Sequence, residues 1–167
     1  MKTLIISLLL FISVNAQNVW YVDRDATGNY NGTSWANAFT SFDSYGAYGD
    51  VNGINWANIQ SGDTIYVSGG TNSKTYPSTT AYGSFGPMDI EAGSRRNFTE
   101  TVIVCPSWEA NRNGDVYFSD ANTTSYGFRT AGINNVKFTG FIFWDKRGRY
   151  TTTSTHVLIT KNENVTF

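Results

Sequence analysis

The sequence predicts an all-β protein built as a solenoid, in which short strands stack in successive coils. Asn and Thr supply 38 of the 167 residues and aromatic side chains another 16%, a composition typical of strands joined by turns. Beyond residue 42, short apolar runs alternate with turn residues, and no stretch has the spacing of an amphipathic helix. The formal net charge of −1 excludes an electrostatic nucleic-acid binder.

A repeat near the end of the sequence supports the solenoid. Asn-Val-Lys-Phe at 135–138 matches Asn-Val-Thr-Phe at 164–167, an offset of 29 residues that is typical of one coil. The period of two places Val136 and Phe138 inside and Lys137 outside. The leading Asn is expected to adopt a left-handed conformation and to hydrogen-bond the backbone of the adjacent coil. A β-sandwich of hairpins is the alternative, but the Asn-Gly and Asp-Gly turns do not separate paired alternating runs.

Residues 1–16 are predicted to be a secretory signal peptide. Lys2 supplies a positive charge, residues 4–14 are apolar or Ser, and Val14-Asn15-Ala16 fits a cleavage site before Gln17. The apolar segment falls short of the roughly 20 residues that span a bilayer. We therefore expect a secreted or cell-surface protein with no membrane span in the mature chain.

Residues 17–60 are predicted to form an N-terminal cap region. A short helix is expected to begin at Ser34, because Trp35, Phe39 and Phe42 follow at helical spacing and form one apolar stripe. Such a stripe would close one end of the core.

Residues 61–167 are predicted to be the first coils of the solenoid. This part ends inside a strand pattern without a closing segment, so we expect an incomplete solenoid, truncated at its C-terminus, whose remaining coils belong to a longer protein. The single cysteine, Cys105, allows no intrachain disulfide and is expected to be a small buried apolar residue. Including one strand in the cap, strands are expected at residues 18–23, 64–67, 102–105, 116–118, 127–129, 136–138 and 141–143.

Three segments carry a family resemblance: Tyr21-Val22-Asp23, Gly32-Thr33-Ser34-Trp35-Ala36-Asn37-Ala38-Phe39 and Gly62-Asp63-Thr64-Ile65-Tyr66-Val67. Together they resemble the N-terminal cap and first coil of secreted bacterial right-handed parallel β-helix proteins, the pectate-lyase-like superfamily. The resemblance covers most of residues 20–167. It implies a right-handed parallel β-helix and polysaccharide as the ligand class. Residues 43–60 depart from the family, because they are Gly-rich where it often has a longer amphipathic helix.

The resemblance implies the N-terminal part of a secreted protein that binds or processes polysaccharide, as a lyase or a glycoside hydrolase. The alternative is a non-catalytic adhesive or structural β-solenoid at the cell surface, since this fold hosts both. Whether the chain is an enzyme stays open, because catalytic residues are expected on middle coils. A hydrolase needs two carboxylates roughly 5–10 Å apart, for which Asp115, Asp120 and Asp145 are the candidates beside predicted strands.

The expected partner is a polysaccharide or a cell-surface glycan. Trp108, Trp144 and Tyr150 lie near predicted loops, where an aromatic face can pack on a sugar ring. Arg147 and Arg149 lie in an insertion between coils, and solenoids often place binding residues in such loops. These five residues are the predicted carbohydrate-binding set.

No cofactor is predicted. Asp23 and Asp25 form an Asp-x-Asp that could bind Ca²⁺, but the other ligands of a calcium loop are missing from the sequence around them. A turn-capping role for these carboxylates is therefore the expected one.

Overall fold

The computed structural model describes residues 16–44, 52–77, 89–90, 96–120, 126–131, 133–145, 155–160 and 165–166. This part of the chain is all-β, with thirteen strands and no helix. The strands are β1 (Val19–Val22), β2 (Ser41–Ser44), β3 (Gly53–Ile54), β4 (Thr64–Val67), β5 (Ser73–Pro77), β6 (Asp89–Ile90), β7 (Arg96–Pro106), β8 (Asp115–Asp120), β9 (Tyr126–Ala131), β10 (Ile133–Phe138), β11 (Ile142–Asp145), β12 (Thr155–Thr160) and β13 (Val165–Thr166). The predicted signal peptide lies outside these residues except for Ala16.

The strands form parallel sheets. One sheet has the order β1-β4-β7-β10-β13, a second β5-β8-β11, a third β6-β9-β12, and β2 pairs with β3. Each described strand pair is parallel. From β4 to β12 the chain passes through the three larger sheets in the same order three times.

Side chains alternate between the core and the surface along the strands of the five-stranded sheet. On β7, Val102 and Val104 are buried whereas Ile103 is exposed. The register places side chains of the same face next to one another on neighbouring strands. One such row across four strands consists of Trp20, Ile65, Val104 and Phe138. Burying an aliphatic or aromatic side chain of this size contributes about 1.5–3 kcal/mol, so this row is a main source of stability.

The repeat at residues 135–138 and 164–167 predicted the register of two strands. Val136 pairs with Val165, and Lys137 pairs with Thr166. Val136 and Phe138 are buried and Lys137 is exposed, as expected from the period of two. Asn135 has φ 55°, and its amide donates to the carbonyl oxygen of Phe98 on the neighbouring strand. Its predicted role is therefore confirmed.

The interior is rich in aromatic side chains. The ring of Phe42 lies edge-on to Tyr76, Phe118 and Phe141, with centroid distances of 5.2, 5.0 and 6.4 Å. These contacts join Phe42 on β2 to the second sheet and to the turn after β10. Trp56 is also fully buried.

The short helix predicted from Ser34 is wrong. Residues 34–37 form a turn instead, in which the Asn37 N–H bonds to the carbonyl and hydroxyl oxygens of Ser34. The chain then becomes extended at Phe39, whose N–H donates to Tyr21 O at 2.9 Å. Backbone pairing with β1 therefore outweighs the local apolar spacing, and Trp35 and Phe39 pack on β1 from a non-helical segment.

This same segment covers the free edge of β1. Tyr21 N donates to Gly32 O at 3.0 Å, and Asp23 N donates to Phe39 O at 2.8 Å. On its other side β1 bonds to β4, through Thr64 N to Asn18 O and Ser68 N to Val22 O. Both edges of β1 are thus hydrogen-bonded.

Within the described ranges, no helix is long and apolar enough to cross a membrane.

Candidate functional site

A cluster of oppositely charged side chains joins the end of β1 to β5 in the second sheet and to the turn after β7. Asp23 directly follows β1, and its side chain is only 4% exposed. It accepts from the ammonium group of Lys74 on β5, whose side chain is 11% exposed, and from Arg112 at 3.1 Å. The Lys74 ammonium also contacts Asp25 at 3.0 Å. We call Asp23, Asp25, Lys74 and Arg112 the charge cluster.

Two Gly residues bring the parts of the charge cluster together. Gly69 follows β4, and its N–H donates to Arg112 O at 2.8 Å, while Gly114 N donates to Gly70 O at 2.9 Å. A Cβ atom on Gly69 would lie 1.6 Å from the carbonyl oxygen of Gly114. Only a residue without a side chain permits this approach, so Gly69 fixes how the turn after β7 packs on the turn after β4.

The turn after β7 is longer than the turn after β4 and presents an exposed Trp. We call residues 107–114 the Trp108 loop. Ser107 is buried, and its N–H donates to Val67 O at 2.8 Å. The Ser107 hydroxyl oxygen accepts from Glu109 N at 3.0 Å. Between these two anchored residues, Trp108 is 74% exposed.

The Trp108 loop contacts the turn that precedes Phe39. The indole N–H of Trp35 donates to the Glu109 carboxylate at 2.7 Å, and the Arg112 guanidinium lies 5.3 Å from the centroid of the Trp35 ring. Tyr21 meets Trp35 edge-on at 4.6 Å. Tyr21 and Trp35 are half-buried. We group these two rings with Trp108, whose neighbour Glu109 is bonded to Trp35, and call the three side chains the aromatic surface.

The aromatic surface continues along the outer face of the five-stranded sheet. Tyr21, Tyr66 and Cys105 are successive register partners on β1, β4 and β7. Cys105 is half-buried rather than part of the core, because it alternates with the inward residue Val104. Its partial burial raises the pKa of the thiol, which disfavours the reactive thiolate.

The predicted capping role of the Asp-x-Asp is confirmed. The Asp23 carboxylate accepts from the backbone N–H of Asp25 at 3.1 Å. The Lys74 ammonium contacts both carboxylates, so a side-chain cation already lies between them. The described residues contain no group of three His, Cys, Asp or Glu side chains able to hold a metal ion.

Tyr76 is a buried titratable group beside the charge cluster. Its hydroxyl donates to Ser68 O at 2.9 Å. Burial, and after it the nearby Asp23 carboxylate, raise the pKa of Tyr76 well above its usual value. The hydroxyl therefore stays protonated and acts as a structural donor.

Of the predicted carbohydrate-binding residues, Trp108 lies in an exposed loop, as expected. Trp144 lies on β11 in register with Ser119, away from the Trp108 loop in sequence and on a different sheet from Tyr21. Arg147, Arg149 and Tyr150 lie outside the described residues. Among the described residues of this set, Trp108 and Trp144 therefore lie on different segments, the Trp108 loop and β11.

The carboxylate candidates for hydrolysis are partly brought together. Asp120 and Asp145 are register partners at the ends of β8 and β11. Adjacent strands lie about 4.8 Å apart, so their Cα atoms are close. Asp115 lies at the opposite end of β8.

Sequence reasoning missed Lys74, Glu109 and Arg112. Lys74 is separated from Asp23 by 51 residues, so no local motif could join them. The available signal was the position of these residues in the chain. Lys74 follows the predicted strand at 64–67, and Glu109 and Arg112 follow the predicted strand at 102–105. These two strands are neighbours in the five-stranded sheet.

Comparisons with protein-family models, with curated proteins and with solved structures return no match for this chain.

Proposed function

We propose that this chain belongs to a secreted right-handed parallel β-helix protein that binds polysaccharide through the aromatic surface. The repeated order of the three larger sheets and their parallel pairing support the β-helix. The predicted signal peptide supports secretion. Polysaccharide as the ligand class follows from the family resemblance and from the residues at the surface.

The exposure of Trp108 on an anchored loop is the observation that carries the binding proposal. A single exposed apolar residue is common on protein surfaces and needs no explanation. Trp108 differs because Ser107 on one side is buried and Glu109 on the other is held by Trp35. The ring is thus presented from a backbone that is already ordered, which lowers the entropy cost of binding.

The neighbours of Trp108 suit a sugar. The face of an indole ring buries the C–H groups of a sugar ring at about 25 cal/mol per Å² of apolar area removed from water. Carboxylates such as Glu109 and Asp25 accept hydrogen bonds from sugar hydroxyl groups. An apolar plane bordered by a few polar groups is the usual composition of a small-ligand site.

Processing of the polysaccharide is a second part of this proposal. The register pairing of Asp120 with Asp145 favours a hydrolase over a lyase, because it places two carboxylate-bearing residues on neighbouring strands. Double substitution to Asn would abolish release of reducing sugar if this pair is catalytic. A protein that binds glycan and releases no product would instead be the adhesive or structural solenoid.

The binding proposal is tested by retention on a panel of immobilised and soluble polysaccharides. Trp108→Ala should weaken binding about tenfold or more, which is the cost expected for removing a central aromatic anchor. Ile142→Ala is the matched control, because Ile142 is another exposed apolar residue and lies on a different sheet. Equal binding by wild type and Trp108→Ala, or no binding by the wild type, would overturn the proposal.

A further inference from the structure

We infer that the polysaccharide bound at the aromatic surface is uncharged. This inference rests on the proposed binding function and deepens it by naming the substrate class. It is carried by the ion pairs of the charge cluster beside the Trp108 loop, where Arg24, Lys74 and Arg112 each contact a carboxylate.

The cations of the charge cluster and its flank are Arg24, Lys74 and Arg112. Lys74 contacts both Asp23 and Asp25, and Arg112 contacts Asp23 at 3.1 Å. Arg24 lies 3.6 Å from Asp25 and also donates to the backbone oxygen of Thr75.

The carboxylates are as numerous as the cations. Asp23, Asp25 and Glu109 balance the three positive charges, so these six side chains beside the Trp108 loop have no net positive charge. The most exposed charged group of the cluster is an anion, because the Asp25 side chain is 68% exposed whereas that of Lys74 is 11% exposed. A uronate bound beside the Trp108 loop would find each of these cations already paired with a carboxylate, and like charges disfavour such binding.

Arg112 is the best candidate to bind an acidic sugar, and its contacts oppose that role. One edge of its guanidinium is held by Asp23, and the group lies over the Trp35 ring. A second carboxylate at Arg112 would be placed beside Asp23 and near Glu109. Binding of an anion there would therefore add a negative charge beside a carboxylate that Arg112 already neutralises.

An uncharged sugar adds no such negative charge. Its hydroxyl groups donate to the ionised carboxylates of Asp25 and Glu109, which can only accept hydrogen bonds. Its apolar face packs on Trp108, which is a contact that does not depend on charge. Binding should then be almost independent of ionic strength, because no counterions are exchanged between ligand and protein.

The test compares neutral polymers (xylan, mixed-linkage β-glucan, galactomannan) with acidic ones (polygalacturonate, alginate, hyaluronan). Affinity of the full chain is measured in about 20 mM and about 500 mM NaCl, where the screening length differs several-fold. We expect retention by a neutral polymer, with less than about a twofold change in affinity between the two salt concentrations. Retention only by acidic polymers, weakened more than about tenfold by salt, would overturn the inference and leave the binding function standing.

A pair of isosteric substitutions provides the reciprocal test. In Asp25→Asn with Glu109→Gln, the shapes are kept, a side-chain oxygen remains for the Trp35 N–H, and the surface gains two units of net positive charge. We expect this variant to acquire weak, salt-sensitive retention on acidic polymers. Failure to acquire it would overturn the inference, whereas failure of the wild type to bind any polymer would overturn the proposed function itself.

Discussion

Replacing Asp23 by Asn should destabilise the protein through the loss of one buried charge. The Asn side chain has the same shape and keeps an oxygen that can accept from the Asp25 N–H. It no longer compensates the ammonium of Lys74 or the guanidinium of Arg112. Any loss of stability therefore reports the ionic contacts rather than a cavity or a lost turn.

The magnitude follows from the exposure of the two cations. Breaking a fully buried pair by removing one partner costs about 3–5 kcal/mol. Lys74 is 11% exposed and keeps Asp25 as a second partner, so its share falls below that range. The Arg112 side chain is 36% exposed, and its pair with Asp23 should contribute no more than about 1 kcal/mol. We expect Asp23→Asn to lower the free energy of unfolding by about 2–3 kcal/mol.

The assay is urea unfolding followed by tryptophan fluorescence and circular dichroism. Asp25→Asn is the control, because Asp25 is 68% exposed and its loss should cost less than about 1 kcal/mol. A double-mutant cycle with Lys74→Met isolates the Asp23–Lys74 contact and should give a coupling energy above about 1 kcal/mol. A cost below about 0.5 kcal/mol for Asp23→Asn, or simple additivity in the cycle, would refute this account of the cluster.

Two further predictions concern Tyr76 on β5 and Gly69 in the turn after β4, both beside the charge cluster. Because the pKa of Tyr76 is raised in the folded protein, its contribution to stability is complete below about pH 10 and is lost as pH rises toward the folded pKa. The free energy of unfolding of the wild type should therefore fall more steeply above about pH 10 than that of Tyr76→Phe, by up to about 1.4 kcal/mol per pH unit, in urea titrations across that range. Gly69→Ala should cost about 1–3 kcal/mol in thermal unfolding and also weaken polysaccharide retention, because its Cβ would displace the Trp108 loop at Gly114. Unchanged retention in a destabilised Gly69→Ala variant would contradict the link between that contact and the loop.

The strand register was predictable where the sequence repeats itself. The segments at 135–138 and 164–167 share the pattern Asn-Val-x-Phe, and aligning the identical residues pairs Val136 with Val165, as the structure does. The alternation excludes a slip by one residue, because such a slip would exchange the two faces of the strand. Asn135 was identifiable for a related reason. Asn tolerates a left-handed backbone and carries an amide that can reach the neighbouring strand.

The helix and the charge cluster were not predictable in the same way. Helical spacing of Trp35, Phe39 and Phe42 is a local signal, but hydrogen bonds between Phe39 and β1 form only once the chain has folded back on its first strand. The partnership of Asp23 with Lys74 depends likewise on which strands become neighbours. Charge and composition do not determine which strands become neighbours. Of the aromatic surface, the sequence therefore predicted only Trp108 as a binding residue.

The hydrogen bonds between β1 and the segment from Gly32 to Phe39 close one edge of the five-stranded sheet. An uncovered strand edge templates the addition of another strand, whether from the same chain or from a second molecule. At β1 the N–H groups of Tyr21 and Asp23 are already occupied on that side. Strand recruitment is therefore blocked at β1, which protects the aromatic surface next to β1 from being covered by edge-to-edge polymerisation.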